Sequence, residues 1–262
     1  MSSVKNPGAI YNRYILETMS EQLITPKEAP PVEGSPERTA KEKRYRWFEL
    51  STVLLVTVGS GFLNSLYLLN NDKGALPGIQ DSRWVIGIFQ ELTGLLLLGY
   101  VLSRRRLRFR DIGLRSSFRD LGAGLAVTLA SYLTYCVGYF LVHWIHGILF
   151  LSTQSGLTPR EAFGHPSIMA LPLILLNPFF EELIVRAYLM TEVKDLTGSW
   201  TLSVAISVAV QFSYHLYYGW ERAIAISFLF LAFAIYYAKT QKATPVIIAH
   251  GIFDIVAMAR LV

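Results

Sequence analysis

Long apolar runs separated by short polar joints fill the chain after residue 45. A helix that crosses a bilayer needs about 20 predominantly apolar residues. On that rule the pattern predicts seven spans, at about 48–69, 84–103, 121–147, 167–190, 200–219, 221–238 and 243–261. The third apolar stretch continues to Leu151, and there is room for an eighth, shorter span. Joints as short as Gly219-Trp220-Glu221-Arg222 bring neighbouring helices into antiparallel contact. Trp47, Trp84, Trp200 and Trp220 fall at predicted span ends, where an aromatic belt places them. The expected fold class is all-α, a polytopic transmembrane helix bundle with its active site inside.

The first 44 residues have a different texture. Pro26, Pro30, Pro31 and Pro36 interrupt a polar stretch of mixed charge that contains no apolar run of signal-peptide length. The expected organisation is a largely disordered cytoplasmic tail over 1–44, with a short helix around Tyr11 to Glu21, and a transmembrane domain over 45–262.

Composition agrees with this reading. Of 262 residues, 52% are hydrophobic and 16% charged, against about 25% charged in soluble domains. The formal charge of +5 would suit nucleic acid, but the basic residues gather beside apolar segments, where orientation and anionic lipid explain them. No nucleic-acid partner is therefore expected. Lys41, Lys43, Arg44 and Arg46 precede the first span, and seven arginines lie between Arg104 and Arg119 after the second. Two intervening spans put both groups on one side, cytoplasmic by the positive-inside rule. The multi-pass protein is expected in the plasma (inner) membrane with its N-terminus in the cytoplasm. Cys136 is the only cysteine, which excludes an intrachain disulfide and a cysteine metal site.

One predicted span is interrupted by charge. Glu181-Glu182-Leu183-Ile184-Val185-Arg186 sits between Pro172–Leu176 and Ala187–Met190. A charged group at a bilayer centre costs about 2.5–3.5 kcal/mol on insertion scales, so such groups face a protein interior or a wet cavity. Glu182 and Arg186 are four positions apart and share a helical face, which allows an internal ion pair. Glu181 is turned about 100° from Glu182 and projects separately. Asn177 lies one turn before Glu181, and Pro178 removes a backbone donor, which either opens the helix to water or merely kinks it.

Two later spans carry ionisable residues at comparable depth. Gln211-Phe212-Ser213-Tyr214-His215 lies in one, and His250-Gly251-Ile252-Phe253-Asp254 in the other. His250 and Asp254 again share a face, so the carboxylate can orient the imidazole or act beside it. His143 and His146, near a span end, read as interfacial residues and not as a metal pair. Gly122-Ala123-Gly124 is no phosphate loop, since no Lys-Ser/Thr follows it, and no nucleotide cofactor is expected.

The ordered motifs Glu181-Glu182-xxx-Arg186, a histidine at 215 ending an aromatic-containing stretch, and His250-xxx-Asp254 resemble those of the CPBP family. These are intramembrane metalloproteases that include the CAAX prenyl endopeptidases and bacterial immunity-type (Abi) proteins. The resemblance covers about 165–258, which would be the protease core. Three positions depart from the family pattern. Ala187 replaces a frequent glycine, Gln211 stands where phenylalanine usually precedes the histidine by four, and Asp254 stands where asparagine is common.

The resemblance implies an intramembrane endopeptidase that cuts a membrane-associated protein or peptide by glutamate-activated water. Glu181 would be the base, His215 would help hold the water or carbonyl, and His250 with Asp254 would stabilise the oxyanion. Glu182, Arg186 and Asn177 would give structural support. Metalloprotease membership makes His215, His250 and Asp254 candidate zinc ligands, and two histidines with a carboxylate form a reasonable catalytic zinc set. Direct glutamate catalysis is chemically sound as well, and spacing does not separate the two. The alternatives are a non-catalytic membrane scaffold or immunity protein of the same fold, and a proton-coupled transporter. The substrate, its prenylation and the oligomeric state do not follow from the sequence.

Overall fold

The structure, a computed structural model, describes residues 36–70, 80–149 and 168–260. The expected helix near Tyr11 and most of the loops at 70–83 and 152–166 lie outside these residues. The chain divides into two units, Met1–Tyr45 and Arg46–Val262. Of the first, only residues 36–45 are described, and they are helical.

The fold is all-helical, as the apolar pattern predicts. In order come α1 (Pro36–Thr57), α2 (Gly59–Leu69), α3 (Gln80–Arg104), a 3-10 turn (Phe109–Ile112), α4 (Phe118–Leu149) and α5 (Ala170–Glu181). A π-helical turn (Glu182–Tyr188) leads into α6 (Leu189–Thr197). Then follow α7 (Trp200–Tyr214), a 3-10 turn (Leu216–Tyr218), α8 (Trp220–Thr240) and α9 (Thr244–Ala259).

Fewer helices have full spanning length than the pattern predicts. Among the described residues, Ser82–Arg104, Phe118–Ile148 and Trp220–Thr240 are long and apolar enough to cross a membrane. The pair Thr39–Thr57 and Gly59–Leu69, bent by 47°, makes a fourth if counted as one span. These helices make the chain an integral membrane protein. The other predicted spans are short or interrupted: α7 has 15 residues and α9 has 16, while the stretch around Glu181 is broken into α5, the π turn and α6. At about 1.5 Å per residue such helices fall short of a hydrocarbon core about 30 Å thick. The interruptions coincide with the polar motifs.

Two contacts set the register between α3 and α5. A Cβ on Gly87 would come within 3.0 Å of Leu173, and one on Gly94 within 2.5 Å of Phe180. Gly87 and Gly94 are seven residues apart, as are Leu173 and Phe180, so matching two-turn stripes face each other. The missing side chains let the two helices approach closely. Glu91 and Asn177 each lie four residues along these stripes, and the register sets them level.

The end of the bundle that carries the sequence's basic residues is tied by charge. Arg105 bridges Glu49 and Glu192, while Arg46 reaches Glu192 at 2.9 Å and Asp195 at 3.2 Å. Glu192 is buried, so its carboxylate needs these cations around it. This knot joins the middle of α1, at Arg46 and Glu49, to the end of α3 and to α6 beneath the π turn.

Candidate active site

The π turn begins directly after Glu181. Pro178 has no N–H, so the carbonyl of Ile174 loses its partner four residues on, and the helix then switches to bonds closed five residues apart. Side chains from neighbouring helices reach the displaced carbonyls. The Ser207 hydroxyl donates to Val185 O at 2.8 Å. Tyr237 Oη lies 3.0 Å from Ile112 O and 3.2 Å from Ala187 O, sharing one proton between them. The irregular turn is thus anchored by α7 and α8, and its residues are buried throughout.

Glu182 and Arg186 form the ion pair anticipated from their spacing, at 3.4 Å and with both side chains fully buried. Arg186 Nη1 also donates to Ser207 Oγ at 2.6 Å, and its guanidinium lies 5.5 Å from the centre of the Phe230 ring. The other oxygen of Glu182, Oε1, faces His250 Nδ1 at 2.8 Å. Because a carboxylate only accepts, His250 Nδ1 carries the proton of that bond. The second ring nitrogen, Nε2, stands 3.6 Å from Asp254 Oδ1. Asn177 Nδ2 donates to Asp254 Oδ2 at 3.1 Å. A continuous polar chain therefore runs from Asn177 through Asp254, His250, Glu182 and Arg186 to Ser207.

Glu181 stands outside that chain. Its Oε2 accepts from Gln211 Nε2 at 2.9 Å and from Tyr214 Oη at 2.8 Å, both neutral donors. Among the described residues no cation comes within ion-pair distance of it. His215 ends α7, where its Nδ1 meets Gln211 O at 2.8 Å and so donates, leaving Nε2 as the ring's lone pair. Its ring packs 4.9 Å from that of Phe230.

All four residues expected to be catalytic line one cavity of about 330 Å³: Glu181, His215, His250 and Asp254, with Asn177 beside them. A second, largely apolar cavity of about 570 Å³ lies between α4, α8 and α9. His215, Tyr218, His250 and Asp254 border both spaces, so the histidines stand on the partition between a polar chamber and an apolar one. Such a layout can hold a water beside Glu181 while apolar side chains of a ligand rest beyond the histidines.

The donors expected for zinc are not gathered. Among the described residues no three His, Cys, Asp or Glu side chains form a group that could hold a metal ion. His215 has a lone pair at Nε2, while His250 Nδ1 is hydrogen-bonded to Glu182 and Nε2 stands 3.6 Å from Asp254. As placed, His215, His250 and Asp254 do not fit one shared metal site. Of the other histidines among the described residues, His146 lies against Glu221 at 2.6 Å and His143 against Tyr139 O of its own helix.

Several partners escaped the sequence reading. Gln211 departs from the resembled motif, yet it is a hydrogen-bond donor to Glu181, which a phenylalanine could not be. Tyr214 and Ser207 had no charge to draw attention. Glu91, near the middle of α3 and only 8% exposed, lines the same cavity as Glu181. Its signal was present as a lone acid in the second apolar run, flanked by Gly87 and Gly94.

Residues 163–256 match a family model described as type II CAAX prenyl endopeptidase Rce1-like. The matched stretch contains Asn177, Glu181, Glu182, Arg186, His215, His250 and Asp254. It bears out the resemblance read from the three motifs. No curated protein and no solved structure matches the chain.

Proposed function

From the likeness of residues 163–256 to CAAX-type prenyl endopeptidases, we propose that this protein is an intramembrane endopeptidase with Glu181 as its general base. One observation carries the reading: Glu181 is held by two neutral donors in a cavity shared with His215, His250 and Asp254. A carboxylate paired to arginine would be occupied; this one is oriented and still able to take a proton.

In the proposed reaction a water beside Glu181 gives a proton to its carboxylate, and the water oxygen attacks the scissile carbonyl carbon. The developing oxyanion needs donors fixed in advance. His250 lies between the carboxylates of Glu182 and Asp254, and as an imidazolium it donates from Nδ1 to Glu182 and from Nε2 to the oxyanion. His215, fixed at Nδ1 by Gln211 O, presents the lone pair of Nε2 to the water, which donates to it. Asp254 orients His250 and is itself held by Asn177. Arg186 and Glu182 fix the π turn that begins directly after Glu181.

The apolar cavity beyond the histidines favours a membrane-associated protein or peptide as substrate. The basic residues clustered around Arg46 and Arg105 support a cytoplasmic placement of that end of the bundle. Purified protein in detergent should cut members of an internally quenched peptide library, and the Glu181→Gln variant should cut none. Equal cleavage by both would refute the assignment.

A further inference from the structure

Glu91 is a buried acid that the proposed reaction does not use, and unlike Asp120 and Glu192 it makes no ion pair among the described residues. It lies near the middle of Ser82–Arg104, where an ionised side chain is costly, and 8% of its surface is exposed. Its Oε2 is buried without a hydrogen-bond partner, and no ion pair is made to it among the described residues. A structural glutamate in such a place needs a cation or a full set of donors. Glu91 has neither, and a carboxyl that carries its proton avoids the charge penalty.

Its placement is specific. Gly87 and Gly94 hold α3 close against Leu173 and Phe180 of α5, and Glu91 lies between these contacts on the same stripe, level with Asn177. It lines the cavity of about 330 Å³ that holds Glu181, and an adjoining space of about 190 Å³ that Glu181 also borders. Two carboxyl groups on different helices therefore flank one space. One is oriented by Gln211 and Tyr214, the other has an unpaired oxygen.

We propose that Glu91 is the proton donor to the leaving amine, an inference that rests on the protease reading of the same cavity. Glu181 takes one proton from water, and the remaining hydroxyl oxygen bonds to the carbonyl carbon. The tetrahedral oxyanion collapses, the C–N bond breaks, and its electron pair goes to nitrogen. That nitrogen takes the proton of the Glu91 carboxyl and leaves as the amine. Transfer of the proton from Glu181 to Glu91, directly or through a water, restores both groups. The division matches the arrangement, because the base and the acid stand on separate helices across the cavity.

The test uses the full chain and two probes: the best-cut member of a quenched peptide library, and the same sequence with an ester at the scissile bond. An ester's leaving group needs little protonation, whereas an amine leaves only with a proton. General acid catalysis contributes about 10²–10⁴-fold, so Glu91→Gln should lose at least about a hundredfold in kcat on the amide. KM should hold, and the ester should be cut nearly as fast as by wild type. Glu91→Asp retains an acid and should recover most of the amide-to-ester ratio. Equal losses on both probes, or the same ratio for Asp and Gln, would overturn the proposal, since positioning or folding defects act on both bonds alike. If Glu91→Gln fails to fold, the ratio for Glu91→Asp decides: a ratio near that of wild type supports the donor, and a collapsed ratio overturns it. Undiminished amide cleavage by Glu91→Gln would sink this inference alone. A wild-type protein that cuts no peptide would sink the protease reading and this inference with it.

Discussion

His250 Nδ1 stands 2.8 Å from Glu182 Oε1, and that contact joins α9 to the π turn. The second glutamate of the pair thus serves two groups, His250 from another helix and Arg186 on its own. Among the described residues the first glutamate is hydrogen-bonded by Gln211 and Tyr214 alone. Adjacent residues of the same type therefore have separate duties, and the same substitution should affect them differently.

Glu182→Gln leaves Arg186 without its counter-charge in a fully buried place. Removing one partner of a buried ion pair costs about 3–5 kcal/mol. The variant should show a clearly lowered thermal midpoint in detergent, while Glu181→Gln should unfold at the wild-type temperature. Equal midpoints for the two variants would contradict this division of labour.

Ser207 both accepts from Arg186 Nη1 and donates to Val185 O. Ser207→Ala strands a buried guanidinium nitrogen and a π-turn carbonyl, at a cost of about 1–3 kcal/mol. Denaturant titration of the variant would register the loss, and unchanged stability would show that the π turn does not depend on α7.

The polar cluster was legible in the sequence because charge in an apolar run is costly wherever it occurs. The pairing of Glu182 with Arg186 followed from helical spacing, and the π turn preserves it. The pairing of Glu182 with His250 did not follow, because contacts across helices leave no periodicity in the chain. Tyr214 and Ser207 were missed for the same reason: an uncharged hydroxyl in an apolar helix looks like ordinary packing. Span length was the weaker part of the reading. Apolar composition continues through Pro178 and through the end of α7 at His215, where the backbone itself is interrupted. Hydropathy registers what a segment is made of, not where its hydrogen bonds change partner.

Tyr214→Phe removes one of the two donors that orient Glu181. A hydrogen bond to a charged group is worth about 1.5–3 kcal/mol, which corresponds to a loss of about tenfold to hundredfold in kcat. Steady-state cleavage of a quenched peptide would measure it, with the thermal midpoint as the control. A wild-type rate would mean that Gln211 alone suffices.

Asp254→Asn keeps an oxygen for Asn177 Nδ2 and removes the charge beside His250. If Asp254 acts by orienting the imidazole, the variant should retain activity within about tenfold of wild type. Asp254→Leu should abolish it. Activity lost equally in both would assign the charge itself a part in the chemistry.

His215, His250 and Asp254 are not gathered as a metal group in this arrangement. Purified protein should therefore keep its activity after dialysis against a chelator and should contain no stoichiometric zinc by elemental analysis. Activity lost on chelation and restored by zinc would show that the donors rearrange around a metal.

The most direct test of the central claim is a comparison of protein termini in membranes of cells carrying wild type or Glu181→Gln at equal abundance. If Glu181 is the base of an intramembrane endopeptidase, at least one membrane-associated protein or peptide should show new termini with wild type, and its uncut form should accumulate with the variant. Identical termini in the two samples, together with full cellular function of Glu181→Gln, would contradict the account.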